Sequence, residues 1–139
     1  MSKIEMLEKG AISGRPFNPS KAGGKILELS YRKVKITNKG ADIVEAHVRR
    51  FNPVGDEEIK MVERLRKIAA NELVAEPVDL RFYTHELREY LRYKQLGYPT
   101  GQPDDPDAAY ELWNNAHTAT LEDYGLKEGT GVLFMEITL

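Results

Sequence analysis

Residues 80–98 read LRFYTHELREYLRYKQLGY, and the phase of this stretch decides the fold. Leu80, Tyr83, Leu87, Tyr90 and Leu91 recur at three- and four-residue steps, which predicts a helix with one apolar stripe. Asp79 stands where a helix cap belongs, and Gly97 followed by Pro99 ends the helix. A second stripe is polar. Arg81, His85, Arg88, Glu89 and Arg92 fall at the same steps and so share a face. A cationic row that holds one histidine and one glutamate reads as the floor of a site. The other reading is a solvated face with internal salt bridges from Glu89 to Arg88 or Arg92.

On either side of this helix the chain alternates between helical patterns and turns. Upstream, Asp56–Leu73 carries acids at its start and the stripe Ile59, Val62, Leu65, Ile68, Ala69 and Leu73, which predicts a second helix. A turn at residues 52–55 separates it from a shorter helix, capped by Thr37 or Asn38 and running to Phe51. Its apolar face is Ile43, Val44, Val48 and Phe51, with His47 beside it. Downstream, the loop PTGQPDD leads to Asp105 as cap and Pro106 as first helical residue. This fourth helix runs to Tyr124 and closes at Gly125. Asn114, Asn115, His117, Thr118, Thr120 and Glu122 form a polar cluster inside it, and side chains of low helix propensity at mid-helix need a reason. Lys25–Ile36 and the tail VLFMEITL alternate as strands do and are expected to pair. The fold class is therefore α+β: about four helices with a small antiparallel sheet made from the N-terminal and C-terminal strands. Residues 1–24, rich in Gly, Pro, Ser and Lys, read as a flexible arm or linker, and 25–139 as a single domain.

Composition narrows the function. The 139 residues contain no cysteine, which excludes disulfides, thiol catalysis and thiolate-bound zinc. No apolar run is long enough to span a membrane, and MSKIEMLEKG has no signal-peptide core. Net charge is −2 overall but +6 over residues 1–50, −1 over 51–98 and −7 over 99–139. The basic half suits a polyanion, and the acidic end suits either the basic half or a partner.

The three histidines, His47, His85 and His117, all fall on predicted helices. His85 has Glu86, Arg81 and Arg88 nearby, and His117 has Asn114 and Thr120 one turn away on either side. Two proton carriers, an arginine and a polar donor are what metal-independent cleavage of RNA requires, because the ribose 2′-hydroxyl is the nucleophile. On this reading His85, Glu86, Arg88, His117 and Thr120 are catalytic, and Arg81, Tyr83, Arg92 and Asn114 bind substrate. No cofactor is needed. A divalent metal is the alternative: His85 and Glu89 lie four residues apart and can share an ion with His117 or Glu122. His117 can also be a packing residue, between Trp113 and Leu121.

FYTHELREYLRYKQLGY followed by PDAAYELWNNAHTATLEDYGL resembles the C-terminal effector domains of bacterial polymorphic toxins, such as contact-dependent inhibition and Rhs-type proteins. The resemblance takes in VKITNKGADIVEAHVRRF and extends over residues 24–130. It implies a nuclease, often one that cuts RNA, paired with a dedicated immunity protein. It also implies secretion within a larger carrier and delivery to the cytoplasm of a competitor cell. It places Tyr83, His85, Glu86, Arg88, His117, Thr120 and Glu122 at the site without naming a mechanism. Two further expectations stay open beside the ribonuclease: a metal-dependent DNase or other toxin enzyme, and a non-enzymatic immunity or adaptor domain.

Overall fold

The computed structural model describes residues 7–135. Four helices dominate: α1 (Asn38–Val48), α2 (Asp56–Ala69), α3 (Pro77–Gln95) and α4 (Pro106–Asp123). Two short antiparallel strands, β1 (Glu8–Lys9) and β2 (Pro16–Phe17), complete the α+β class. Each helix starts on a cap that the sequence carries. Thr37 Oγ1 accepts from Gly40 N at 3.0 Å, and Glu58 takes Gly55 N at 2.6 Å. Asp79 takes Glu76 N at 2.8 Å, and Asp105 takes Ala108 N at 2.9 Å. Asp79 therefore lies inside the first turn of α3, which begins three residues earlier than the stripe suggests.

Helix α3 packs against all three other helices. Its face toward α1 and α2 joins an apolar core of Val44, Val48, Met61, Leu65 and Phe82. A second cluster gathers Tyr31, Leu121, Leu126 and Leu133 and shares Leu80 and Phe134 with the first, and a third gathers Phe17, Ala22 and Ala119. Tyr83 of the expected apolar stripe is in the core, with Leu80 and Leu87 packed against it, but the polar stripe goes inward as well. Leu91 is 49% exposed, while His85, Glu89 and Arg92 are buried, in line with Phe82 and Tyr93. Three members of the polar stripe point into the interior, and Arg81 and Arg88 are half-buried. A helix touched on three sides buries whatever points at its neighbours, provided the polar groups find partners there.

Two other expectations are corrected. The N-terminal stretch does not behave as a free arm from residue 7 onward. Phe17 and Ala22 are buried, and Arg15 reaches Thr118 and Asn114 at 3.2 and 2.7 Å. Asn18 N donates to Asn115 Oδ1 at 2.9 Å. Gly23 sits at φ +78 so close to the Arg92 carbonyl that a Cβ there would collide with it. Residues 25–31 form no strand. They run over the end of α4, where Asp123 accepts from Leu27 N at 2.6 Å and from Leu29 N at 2.8 Å. Residues 132–135 form no strand either, and 136–139 lie outside the described residues.

Candidate metal centre

The interior face of α3 presents His85, Glu86 and Glu89; α4 brings His117, and α1 brings His47. His85 Nε2 stands 2.8 Å from Glu89 Oε2 and 3.0 Å from His117 Nδ1. His117 Nδ1 stands 3.3 Å from the same Oε2. The other carboxylate oxygen, Glu89 Oε1, meets His47 Nε2 at 3.0 Å, and Glu86 Oε2 is 3.5 Å from that nitrogen. Glu128, from the segment after α4, closes the far side at 3.1 Å from His117 Nε2.

The triangle His85–Glu89–His117 is over-connected for hydrogen bonding. Each ring nitrogen carries at most one hydrogen, fixed in the ring plane and aimed one way. Two nitrogens therefore supply at most two protons to three mutual contacts. Three lone-pair donors converging on one point match the requirement of a cation. Nitrogen and oxygen ligands at 2.0–2.2 Å from one ion stand about 2.8–3.6 Å apart at tetrahedral to octahedral angles. The observed edges fall in that interval.

The electrostatics follow from burial. Desolvation works to raise Glu89, but bonds from His117, His47 and His85 pull its carboxyl well below the usual range. Burial, with Glu89 and Glu58 nearby, pushes Glu86 well above it. Burial lowers His85 despite Glu89. Burial also works to lower His117, but Glu128 and Glu89 outweigh it, and His117 ends above 6.5. Glu128 holds His117 from behind, as carboxylates hold metal-bound imidazoles. Nδ1 of His47 and Nδ1 of His85 find no such partner among the described residues. Each unpaired N–H costs about 1–3 kcal/mol, which an ion at the opposite nitrogen has to outweigh.

A cavity of about 300 Å³ opens onto the centre, walled by Glu58, Glu86, Glu89, Trp113, His117 and Glu128. The Trp113 indole stacks on the His117 ring, centroids 4.5 Å apart and planes 16° from parallel. Arg15 lies over the Trp113 ring at 5.2 Å.

Of the residues singled out in the sequence, His85, Glu86, Glu89 and His117 come together here. The others are engaged elsewhere. Arg81 donates to the Val132 and Gly131 carbonyls at 2.7 and 3.1 Å. Arg88 and Arg92 both bind Asp123, and Arg92 also holds the carbonyls of Ala22, Gly24 and Lys25. Tyr83 is buried against Gly40 and Thr37. Thr120 turns its hydroxyl to the Ala116 carbonyl of its own helix. Asn114 ties Arg15 and the Pro16 carbonyl to α4. Glu122, weighed as a ligand, instead accepts from Ile12 N and Ser13 N. The contributions of His47 and Glu128 escaped the sequence reading. The signal for His47 was there: it lies between Val44 and Val48 on the buried face of α1. Against family models, curated protein sequences and solved structures alike, the chain finds no match.

Proposed function

We propose that this chain is a nucleic-acid-cleaving effector domain of the bacterial polymorphic-toxin type, working through a divalent cation held by His85, Glu89 and His117. The observation that carries the reading is the triangle of ring nitrogens and carboxylate oxygen at 2.8–3.3 Å beside an open cavity. The metal-independent scheme needs an acid and a base on opposite sides of a phosphate. His85 Nε2 and His117 Nδ1 are 3.0 Å apart with no room for one between them, and His85 is fully buried. That spacing favours two ligands of a single ion.

A bound divalent ion would supply Lewis acidity and a more acidic water, which is the chemistry of metal-assisted phosphodiester hydrolysis. The chain does the rest. Glu128 fixes the ring of His117. Trp113 walls the cavity and packs its ring on that of His117. Lys127 and Arg15 place positive charge near a cavity otherwise rich in glutamate, where a phosphate would enter. On the same reading, the protein has a dedicated immunity partner and reaches the target cytoplasm within a larger secreted carrier.

The test is cleavage by the protein from cell-free synthesis. Total RNA and plasmid DNA are incubated separately with enzyme that has been stripped by EDTA, then restored with Mg²⁺, Mn²⁺ or Zn²⁺. Cleavage of one substrate, lost on chelation and restored by one ion, is expected, with His117→Ala and Glu89→Gln folded but inactive. Undiminished RNA cleavage in EDTA would return the site to the metal-independent ribonuclease scheme. Intact RNA and DNA under every condition, together with normal growth of expressing cells, would make the chain a binding domain.

A further inference from the structure

We propose that His47 and Glu86 complete a second divalent-cation subsite, so that Glu89 bridges two ions through its two oxygens. The inference rests on reading His85, Glu89 and His117 as an ion site, and adds a partner to that ion.

The geometry separates the two halves at the Glu89 carboxylate. Oε2 faces His85 and His117; Oε1 faces His47. The ligand atoms of His47, Glu86 and Glu89 all lie within 4.8 Å of one another, as do those of His85, Glu89 and His117. Each set is therefore compact enough to close on one ion. Two ions held on the two oxygens of one carboxylate come about 3.5–4 Å apart, the spacing of two-metal hydrolytic centres.

Charge points the same way. Glu86 and Glu89 are both buried, and their ion-pair partners among the described residues are histidines. Arg50, whose charge acts on both, spends its donors on the carbonyls of His47, Tyr98, Pro99 and Gly101. Two buried carboxylates with no lysine or arginine paired to them among the described residues are costly unless a cation or protons neutralise them. Glu58, on the same cavity wall, adds a third carboxylate close to Glu86.

His47 is also fixed in aim. It is fully buried, and Phe51, Tyr90 and Tyr93 meet its ring edge-on at centroid distances of 5.7, 6.2 and 5.1 Å. These rings hold Nε2 toward Glu86 and Glu89. A histidine needed only to fill an apolar gap has no reason to point its nitrogen at two carboxylates. The occupant this donor set suits is a pair of borderline divalent ions such as Mn²⁺, Fe²⁺ or Zn²⁺, since imidazole and carboxylate share the work.

Manganese titration of the metal-free full chain, read by equilibrium metal content and by electron paramagnetic resonance, tests this. Wild type should bind two equivalents per chain and give the broad multiline signal of an exchange-coupled pair. His47→Ala should bind one equivalent with the six-line signal of an isolated ion. Glu86→Gln, the milder change, should weaken the second equivalent about tenfold or more, and circular dichroism identifies which variants are folded. If His47→Ala does not fold, Glu86→Gln decides. One equivalent in wild type, with a six-line signal that Glu86→Gln leaves unaltered, would overturn the second subsite and leave the first ion standing. No bound manganese in wild type, nor zinc in a parallel titration, would overturn both.

Discussion

Arg92→Met removes the guanidinium that knots three parts of the chain together, and its cost can be worked from the contacts. Arg92 is fully buried and binds Asp123 Oδ2 at 2.6 Å. It also holds the carbonyls of Ala22, Gly24 and Lys25 at 3.2, 2.9 and 3.1 Å. Breaking a buried ion pair from one side costs about 3–5 kcal/mol, because the remaining charge is stranded. Two features pull toward the low end. Arg88 still reaches Asp123 Oδ2 at 3.1 Å, and Leu27 N still donates to Oδ1. Gly24 and Lys25 are exposed, so water can serve their carbonyls, but Ala22 is not, and its lost bond adds about 1 kcal/mol or more. The sum is about 4 kcal/mol. With a urea slope of about 2 kcal/mol/M, the unfolding midpoint should fall by about 2 M. Arg88→Met, at a partly exposed site with fewer bonds, should move it by less than about 0.5 M. Urea denaturation followed by circular dichroism measures both. A midpoint for Arg92→Met within about 0.3 M of wild type, together with weakened nucleic-acid cleavage, would refute the structural role and restore Arg92 as a substrate-binding residue.

Three further outcomes are expected. Gly40→Ala drives a Cβ into the Tyr83 hydroxyl and ring, which are themselves packed in the core, and should cost about 1–3 kcal/mol in thermal unfolding. Arg64→Met strands the buried carboxylate of Asp79, which it now grips through two bonds of 2.8 Å, and should destabilise by about 3 kcal/mol without altering metal stoichiometry. Trp113→Ala removes the ring packed on His117 and should weaken cation binding about tenfold or more, read by metal titration of the folded variant.

What could be read from the residues divides along physical lines. Capped helix ends were legible, because caps are local: Thr37, Asp105 and Gly125 act within a few residues of where they stand, whereas α1 and α2 stop at Val48 and Ala69, short of the expected Phe51 and Leu73. The convergence of His85 and His117 was legible as well, as polar clusters on two successive helices. The depth of the polar stripe was not. Periodicity shows that two stripes exist, and whether the polar one is covered depends on His47 and Asp123, which belong to other helices. The arginine row misled for a related reason. Its partners are largely main-chain carbonyls at residues 22–25 and 131–132, and a carbonyl leaves no mark in a sequence. The N-terminal segment looked like a linker because it is small and polar. Its anchors, Asn114, Asn115 and Glu122, were visible as the unexplained polar cluster of α4. The expected strand at Lys25–Ile36 failed because alternation does not say what a chain will hydrogen-bond to. Here it found the end of α4.

The ionisable groups buried beside the apolar clusters also have a calorimetric consequence. Newly wetted hydrocarbon raises the heat capacity of the denatured chain, and newly wetted polar groups lower it. A protein of this length with an oily middle would show an increment of about 1.7–2.1 kcal/mol/K, and this one should fall below that interval. Its free-energy curve against temperature should be correspondingly shallow, with cold denaturation pushed further from reach and a broad plateau in place of a sharp optimum.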